Sequence, residues 1–97
     1  MKYAIHFAAE AEHLEHIGHY RAIRAGLGEK YLADFEETLD RICEAPHRSR
    51  LERPPNIRVV TLSKFPYFVY YRDANGRVEV LAIPHFRQRP GYWATRL

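Results

Sequence analysis

Near the C-terminus, His85, Arg87, Arg89 and Tyr92 are of the residue types that phosphodiester chemistry uses, and they lie close together in the chain. Cleavage of RNA through its own 2′-hydroxyl needs a proton acceptor, a proton donor and positive charge for the crowded phosphate. His85 or Tyr92 could move the protons. Arg87 and Arg89, with Arg58, Lys64 and Arg72, are candidate binders of phosphate or of a macromolecular target. The same arginines have a plainer reading, as solvated charges at strand ends or as partners for the carboxylates of another protein.

His13, His16 and His19 recur at every third position. On a helix that spacing brings them within about 120° of one another, an arrangement that suggests a metal site. Their arc lies opposite Ala11, Leu14, Gly18 and Ala22, however, so the pattern predicts a solvated histidine face, and neither a metal nor another cofactor is expected. Cys43 falls on the expected buried arc of a helix and reads as core rather than nucleophile. Glu10, Glu12 and Glu15 stand early in a helix, where negative charge favours the dipole. Tyr67, Tyr70 and Tyr71 suit stacking on bases and core packing equally.

The elements that must position these residues follow from the hydrophobic periods. Residues 2–7 alternate and read as a strand. Residues 8–25 carry Ala11, Leu14, Gly18, Ala22 and Ala25 at three- and four-residue intervals, with Ile17 at the border, which predicts a helix with that stripe inward. Gly26 and Gly28 suit a helix end and a tight turn. A second helix over residues 29–44 gathers Tyr31, Leu32, Phe35, Leu39, Ile42 and Cys43 on one arc, and Pro46 ends it. An irregular basic stretch, 46–56, follows. Residues 57–62, 65–72 and 77–85 then read as strands, with Asp73-Ala74-Asn75-Gly76 as a turn. The order β-α-α-β-β-β is an α+β domain spanning 1–97, a helical hairpin on one face of a mainly antiparallel sheet. Both faces of the later strands are apolar, and two helices cover only one. The other is expected to meet a partner protein in preference to the C-terminal tail.

The chain has 97 residues with a net charge of +3, 46% hydrophobic and 28% charged residues, the composition of one globular domain. The total hides an asymmetry, −3 over residues 1–48 and +6 over residues 49–97, so the C-terminal half is expected to face nucleic acid or an acidic protein. No stretch approaches the roughly 20 apolar residues of a membrane span. The N-terminal residues lack the apolar core of a signal peptide, and a single Cys43 leaves no internal disulfide; a cytoplasmic location is the expectation.

The ordered set of motifs resembles the RelE/ParE superfamily of type II toxin–antitoxin systems, on its ParE-like, plasmid-stabilisation side. The resemblance rests on Ala9-Glu10-Ala11-Glu12, on Gly26-Leu27-Gly28 with Tyr31-Leu32, and on Ile57-Arg58 leading to Phe65-Pro66-Tyr67 and Tyr70-Tyr71-Arg72. Val80-Leu81-Ala82-Ile83, the run from His85 to Pro90 and Tyr92-Trp93 complete it. The resemblance implies a growth-inhibiting toxin, held in a hetero-oligomer by a cognate antitoxin, with no membrane partner. Its target would be DNA gyrase if ParE-like, without chemistry of its own, or messenger RNA on the ribosome if RelE-like. Arg87, Arg89 and Tyr92 resemble the catalytic end of the RelE-like enzymes. The sparse lysines after Lys30 and the His85-x-Arg87 ending look closer to ParE and favour gyrase. A basic RNA-binding module is the alternative outside the toxins.

Overall fold

The computed structural model describes residues 3–97; Lys2, placed in the expected first strand, lies outside them. Strand β1 (Tyr3–Ile5) is short because His6 turns the chain into helix α1 (Phe7–Ile23). The His6 amide still donates to the Val80 carbonyl at 2.8 Å, while its Nδ1 accepts from the Ala8 amide at 3.1 Å and caps the helix. Helix α2 (Leu27–Glu44) returns alongside α1. The two helices come close at Gly28, where a Cβ would lie 2.4 Å from Arg21 Cγ and 3.1 Å from the Ile17 carbonyl oxygen.

Four strands follow: β2 (Arg50–Arg53), β3 (Ile57–Thr61), β4 (Phe68–Ala74) and β5 (Arg77–Ala82). They form one sheet in the order β1-β5-β4-β3-β2, with β1 parallel to β5 and the other pairs antiparallel. The expected α+β architecture is thus present, with one strand more. β2 lies within the stretch read as irregular. Its sequence, Arg-Leu-Glu-Arg, is exposed throughout and shows no apolar alternation, as suits a charged edge strand. The β4–β5 turn falls where expected: Ala74 pairs with Arg77, and Asn75 (φ 55°) and Gly76 (φ 70°) supply the left-handed pair of a two-residue hairpin loop. The regular ladder is shorter than the apolar runs at the other end. Pro66 and Pro84, which have no N–H to give, interrupt it, and only an isolated bridge joins Tyr67 to His85.

The main core lies between the helices and one sheet face, where Tyr31, Phe35, Leu39 and Ile42 of α2 meet Val69, Tyr71, Val78, Val80 and Ile83. The inward arc of α2 is the expected one, although Cys43 is only half-buried. Helix α1 is turned the other way from the expectation. Ala11, Leu14, Gly18 and Ala22 face solvent, as does Ala25 beyond the helix, while Ala9, His13, His16, Ile17 and Tyr20 face inward. Apolar residues lie on both sides of this helix, so their period gives it no direction; hydrogen bonding decides. His13 Nδ1 meets the Tyr31 hydroxyl at 3.0 Å and His16 Nε2 meets the Ile83 carbonyl at 2.8 Å. Satisfied in this way, imidazoles are buried at little cost, and their rings pack at a tilt against Phe35 and Tyr67. The solvated histidine face is corrected accordingly: only His19 is exposed.

The opposite sheet face also departs from expectation. A short 3-10 helix, Tyr92–Arg96, folds over it, and Trp93 (2% exposed) packs on Ile57, Leu81 and Ala82 with Tyr70 alongside. An irregularity in the β4–β5 register at Leu81 turns both Leu81 and Ala82 to this side. The chain's own tail, not a partner, covers this part of the second face.

Candidate functional site

The tail that covers the sheet is anchored by one carboxylate. Glu12 of α1 accepts from the Ile83 amide (2.9 Å), the Tyr92 hydroxyl (2.8 Å) and an Arg96 guanidinium nitrogen (2.8 Å). Arg96 also donates to the Leu81 carbonyl at 2.9 Å. Burial would raise the Glu12 pKa, but Arg96, the Ile83 amide and the Tyr92 hydroxyl outweigh it and hold the carboxyl below its ordinary value. Burial first, then the bond to Glu12, pushes the Tyr92 hydroxyl well above the usual phenol range.

Between this anchor and the end of β5, the chain leaves the sheet as an exposed loop. His85, Phe86 and Arg89, with Tyr92 and Trp93 behind them and Phe68 and Tyr70 on the sheet, line a shallow recess of about 70 Å³. That volume is far below the few hundred Å³ of a small-molecule pocket, so the feature is a docking surface rather than a cleft. His85 Nδ1 accepts from the Arg87 amide at 3.1 Å, which leaves Nε2 to carry the proton of the neutral ring, and the ring stands edge-on to Tyr67. Arg87 and Arg89 project into solvent, and Phe86 is 48% exposed against Phe68. Phe86 was not legible as a site residue; its one sequence signal is a large aromatic set between a histidine and an arginine.

The remaining predicted binders are elsewhere. Arg58 is half-buried and donates to the His47 and Ser49 carbonyls at 3.1 and 2.9 Å, with Nε 3.9 Å from Asp73. It braces the segment before β2. Arg72 lies across from Glu79 in the ladder, 3.8 Å away, and lines a recess at the β4–β5 hairpin. Lys64 is exposed on the loop between β3 and β4 and borders a groove with Leu27, Lys30 and Phe65. That loop is held by Asp34, which was not foreseen. Asp34 is 2% exposed, and its carboxylate accepts from the Ser63, Lys64 and Phe65 amides at 3.1, 2.8 and 3.2 Å.

His13 and His16 point inward and His19 outward, and among the described residues no group of His, Cys, Asp and Glu is arranged to hold a metal ion. Cys43 packs against the core, and burial raises its thiol pKa, the reverse of what a nucleophile requires. No helix is long and apolar enough to cross a membrane among the described residues.

Residues 6–90, from the α1 cap to the end of the basic loop, match the family of the ParE toxin of the type II toxin–antitoxin system parDE. The chain belongs to the ParE toxin family. Among solved structures it is similar to a chain of the chromosomal ParDE toxin–antitoxin system of P. aeruginosa. The two share 19% identity over 88% of this chain and 89% of that one, with a TM-score of 0.65, which is a likeness of fold. No curated protein matches the chain. Within this ParE toxin, His85, Arg87 and Arg89 lie inside the matched stretch, whereas Tyr92, Trp93 and Arg96 lie beyond it.

Proposed function

We propose that this ParE toxin arrests growth by binding DNA gyrase, with the loop from His85 to Pro90 as part of its contact surface, and that a cognate antitoxin silences it in the cytoplasm. One observation carries the choice of gyrase over RNA cleavage. The Tyr92 hydroxyl is bonded to Glu12 beside Arg96, and its pKa is raised, so it is poorly suited to pass protons near neutral pH. His85 then stands without a second proton carrier next to exposed Arg87, Arg89 and Phe86. An exposed basic and aromatic loop suits docking to a large partner. A poison needs only to bind one state of its target better than the others, and so shift the population. The antitoxin reading draws on the same exposed guanidinium groups, which carboxylates would pair with in forked geometry.

A second reading, cleavage of messenger RNA on the ribosome, is supported by one observation: His85, Arg89 and Tyr92 line the same recess. The two separate in paired assays on one folded preparation. Inhibition of supercoiling, or trapping of cleaved DNA, without any ribosome is expected. Ribosome-dependent cleavage with no effect on gyrase would overturn the proposal. In cells, expression of the chain should stop growth and co-expression of the antitoxin should restore it; normal growth at verified expression would count against the toxin reading itself.

A further inference from the structure

The sheet face turned away from the helices carries a row of charges beside the C-terminal tail. Arg53, Ile57, Arg72, Glu79 and Ala4 stand in register across it, one from each strand. Ile57 packs with Trp93, which fixes the row on that face. Arg77 joins it from the start of β5. It pairs with Ala74, two residues along β4 from Arg72, so the two arginines lie on a diagonal about 7–8 Å apart. Both line a recess of about 360 Å³, together with Asn75 and Glu79. A second recess, of about 200 Å³, is lined by Arg53 and Asn56, and Arg72 borders both.

Arg72 is the informative residue. Its Nε–H is closed off from solvent and donates to nothing, because Glu79 Oε1, at 3.8 Å, is beyond hydrogen-bond reach. The ion pair is loose, and its side chains are 32% and 41% exposed. Arg53, Arg72 and Arg77 thus face the one carboxylate of Glu79, while Arg50 and Glu52 neutralise each other at 2.9 Å. Like charges this close repel. An oxyanion between Arg72 and Arg77 relieves that repulsion and accepts forked hydrogen bonds. Arg72, Arg77 and Glu79 stand on β4 and β5, inner strands whose main-chain groups are taken by ladders on both sides. They offer a peptide backbone nothing to pair with and recognise charge alone, which favours a chain of phosphates over an acidic peptide. We propose that this face binds a nucleic-acid strand by its backbone, Arg72 and Arg77 taking one phosphate between them and Arg53 a neighbouring one. The inference goes beyond the gyrase and antitoxin reading and stands apart from it. The site lies at the hairpin end of β4, and the His85 loop at the other, where His85 bridges to Tyr67.

The test is fluorescence anisotropy of a labelled DNA single strand of about 12 thymidines, titrated with the purified chain. Saturable binding is expected, weakening as salt rises from about 50 to 200 mM. Arg77→Gln, at an exposed position, should weaken binding severalfold. It should also lower the slope of log affinity against log salt by about 0.7, the share of one phosphate on a single strand. Arg72→Gln combined with Arg77→Gln should cost at least tenfold. Glu79→Gln should act in the opposite direction and tighten binding severalfold, which general loss of fold could not do. If the Arg72 variant fails to fold, Arg77→Gln and Glu79→Gln still decide the question. Absence of binding at the lower salt overturns the inference, and so does affinity indifferent to Arg77→Gln and Glu79→Gln. Binding lost instead on replacing Arg87 and Arg89 with Gln would place the strand on the other loop. Polyglutamate that displaces the strand as well as unlabelled DNA of equal charge would assign the face to an acidic protein. Either result also overturns the inference.

Discussion

Replacing Glu12 with Gln keeps the size of the side chain and removes its charge, and the structure sets what is lost. The carboxylate accepts three bonds, from the Ile83 amide, the Tyr92 hydroxyl and Arg96, and the Glu12 and Arg96 side chains are only 21% and 15% exposed. An amide can still accept from Ile83, and its NH2 can donate to the Tyr92 oxygen, but it turns a donor towards Arg96. The loss is then one charge-assisted bond in a mostly buried setting, about 2 kcal/mol. For a chain of this size that lowers the melting temperature by roughly 8–16 °C. Trp93 is the sole tryptophan and lies in the tail that Glu12 anchors, so urea denaturation followed by its fluorescence reads the anchor directly. The pH dependence supplies a second check. The folded-state pKa of Glu12 is held below its unfolded value, so its stabilisation is complete above the ordinary carboxylate range and is lost as pH falls through the folded pKa. The gap between wild type and Glu12→Gln should therefore be full at pH 7 and close progressively below about pH 4. A loss under about 0.5 kcal/mol at pH 7, or a gap that does not narrow in acid, would refute the assignment of the anchor.

Asp34→Ala should free the Ser63, Lys64 and Phe65 amides that the carboxylate now receives, at a cost of about 2–4 kcal/mol, with faster hydrogen exchange at those amides as the local readout. Burial lowers the His13 pKa to about 4, so the unfolded chain takes up a proton more readily, and stability should fall as pH drops from about 6.5 towards 4. His13→Phe should flatten that slope in urea titrations at several pH values; an unchanged slope would assign it elsewhere. Reversing Arg87 and Arg89 to Glu should leave the unfolding free energy within about 0.5 kcal/mol of wild type, because both side chains are solvated. The same double variant should weaken the antitoxin complex and reduce its salt sensitivity, measured by titration calorimetry at two ionic strengths.

Where the sequence carries a strong local signal, expectation and structure agree. The Asn75-Gly76 turn needs only its two residues, and the arc of α2 is written in large side chains with few competitors on the other faces. The misses have a common cause, which is that the deciding contacts are remote in sequence. The orientation of α1 depends on Tyr31 and the Ile83 carbonyl receiving His13 and His16. β2 has no apolar pattern of its own and exists because β3 offers it an edge. The tail covers the second face because Glu12 of α1 reaches Tyr92 and Arg96 at the other end of the chain. In the site, the loop from His85 to Pro90 was legible as basic and exposed, but the role of Tyr92 was not, since its partner lies in the first helix.

The charge asymmetry of the sequence also changes meaning once the side chains have partners. Several arginines of residues 49–97 have partners within the fold, although the net +6 already counts Glu52, Asp73 and Glu79. Arg50 pairs with Glu52, Arg53 lies over Trp93, Arg58 binds carbonyls, Arg72 faces Glu79 and Arg96 binds Glu12. A field estimated from composition therefore overstates what a partner meets, because a paired guanidinium attracts less than a free one. Lys64, Arg77, Arg87 and Arg89 are the exposed remainder, and only Arg87 and Arg89 share one loop with an exposed aromatic. Neutralising Arg58 or Arg96 should thus act on the fold first, and on binding only through it. The interaction reading rests on the pair at 87 and 89 because these are charges that the fold itself does not use.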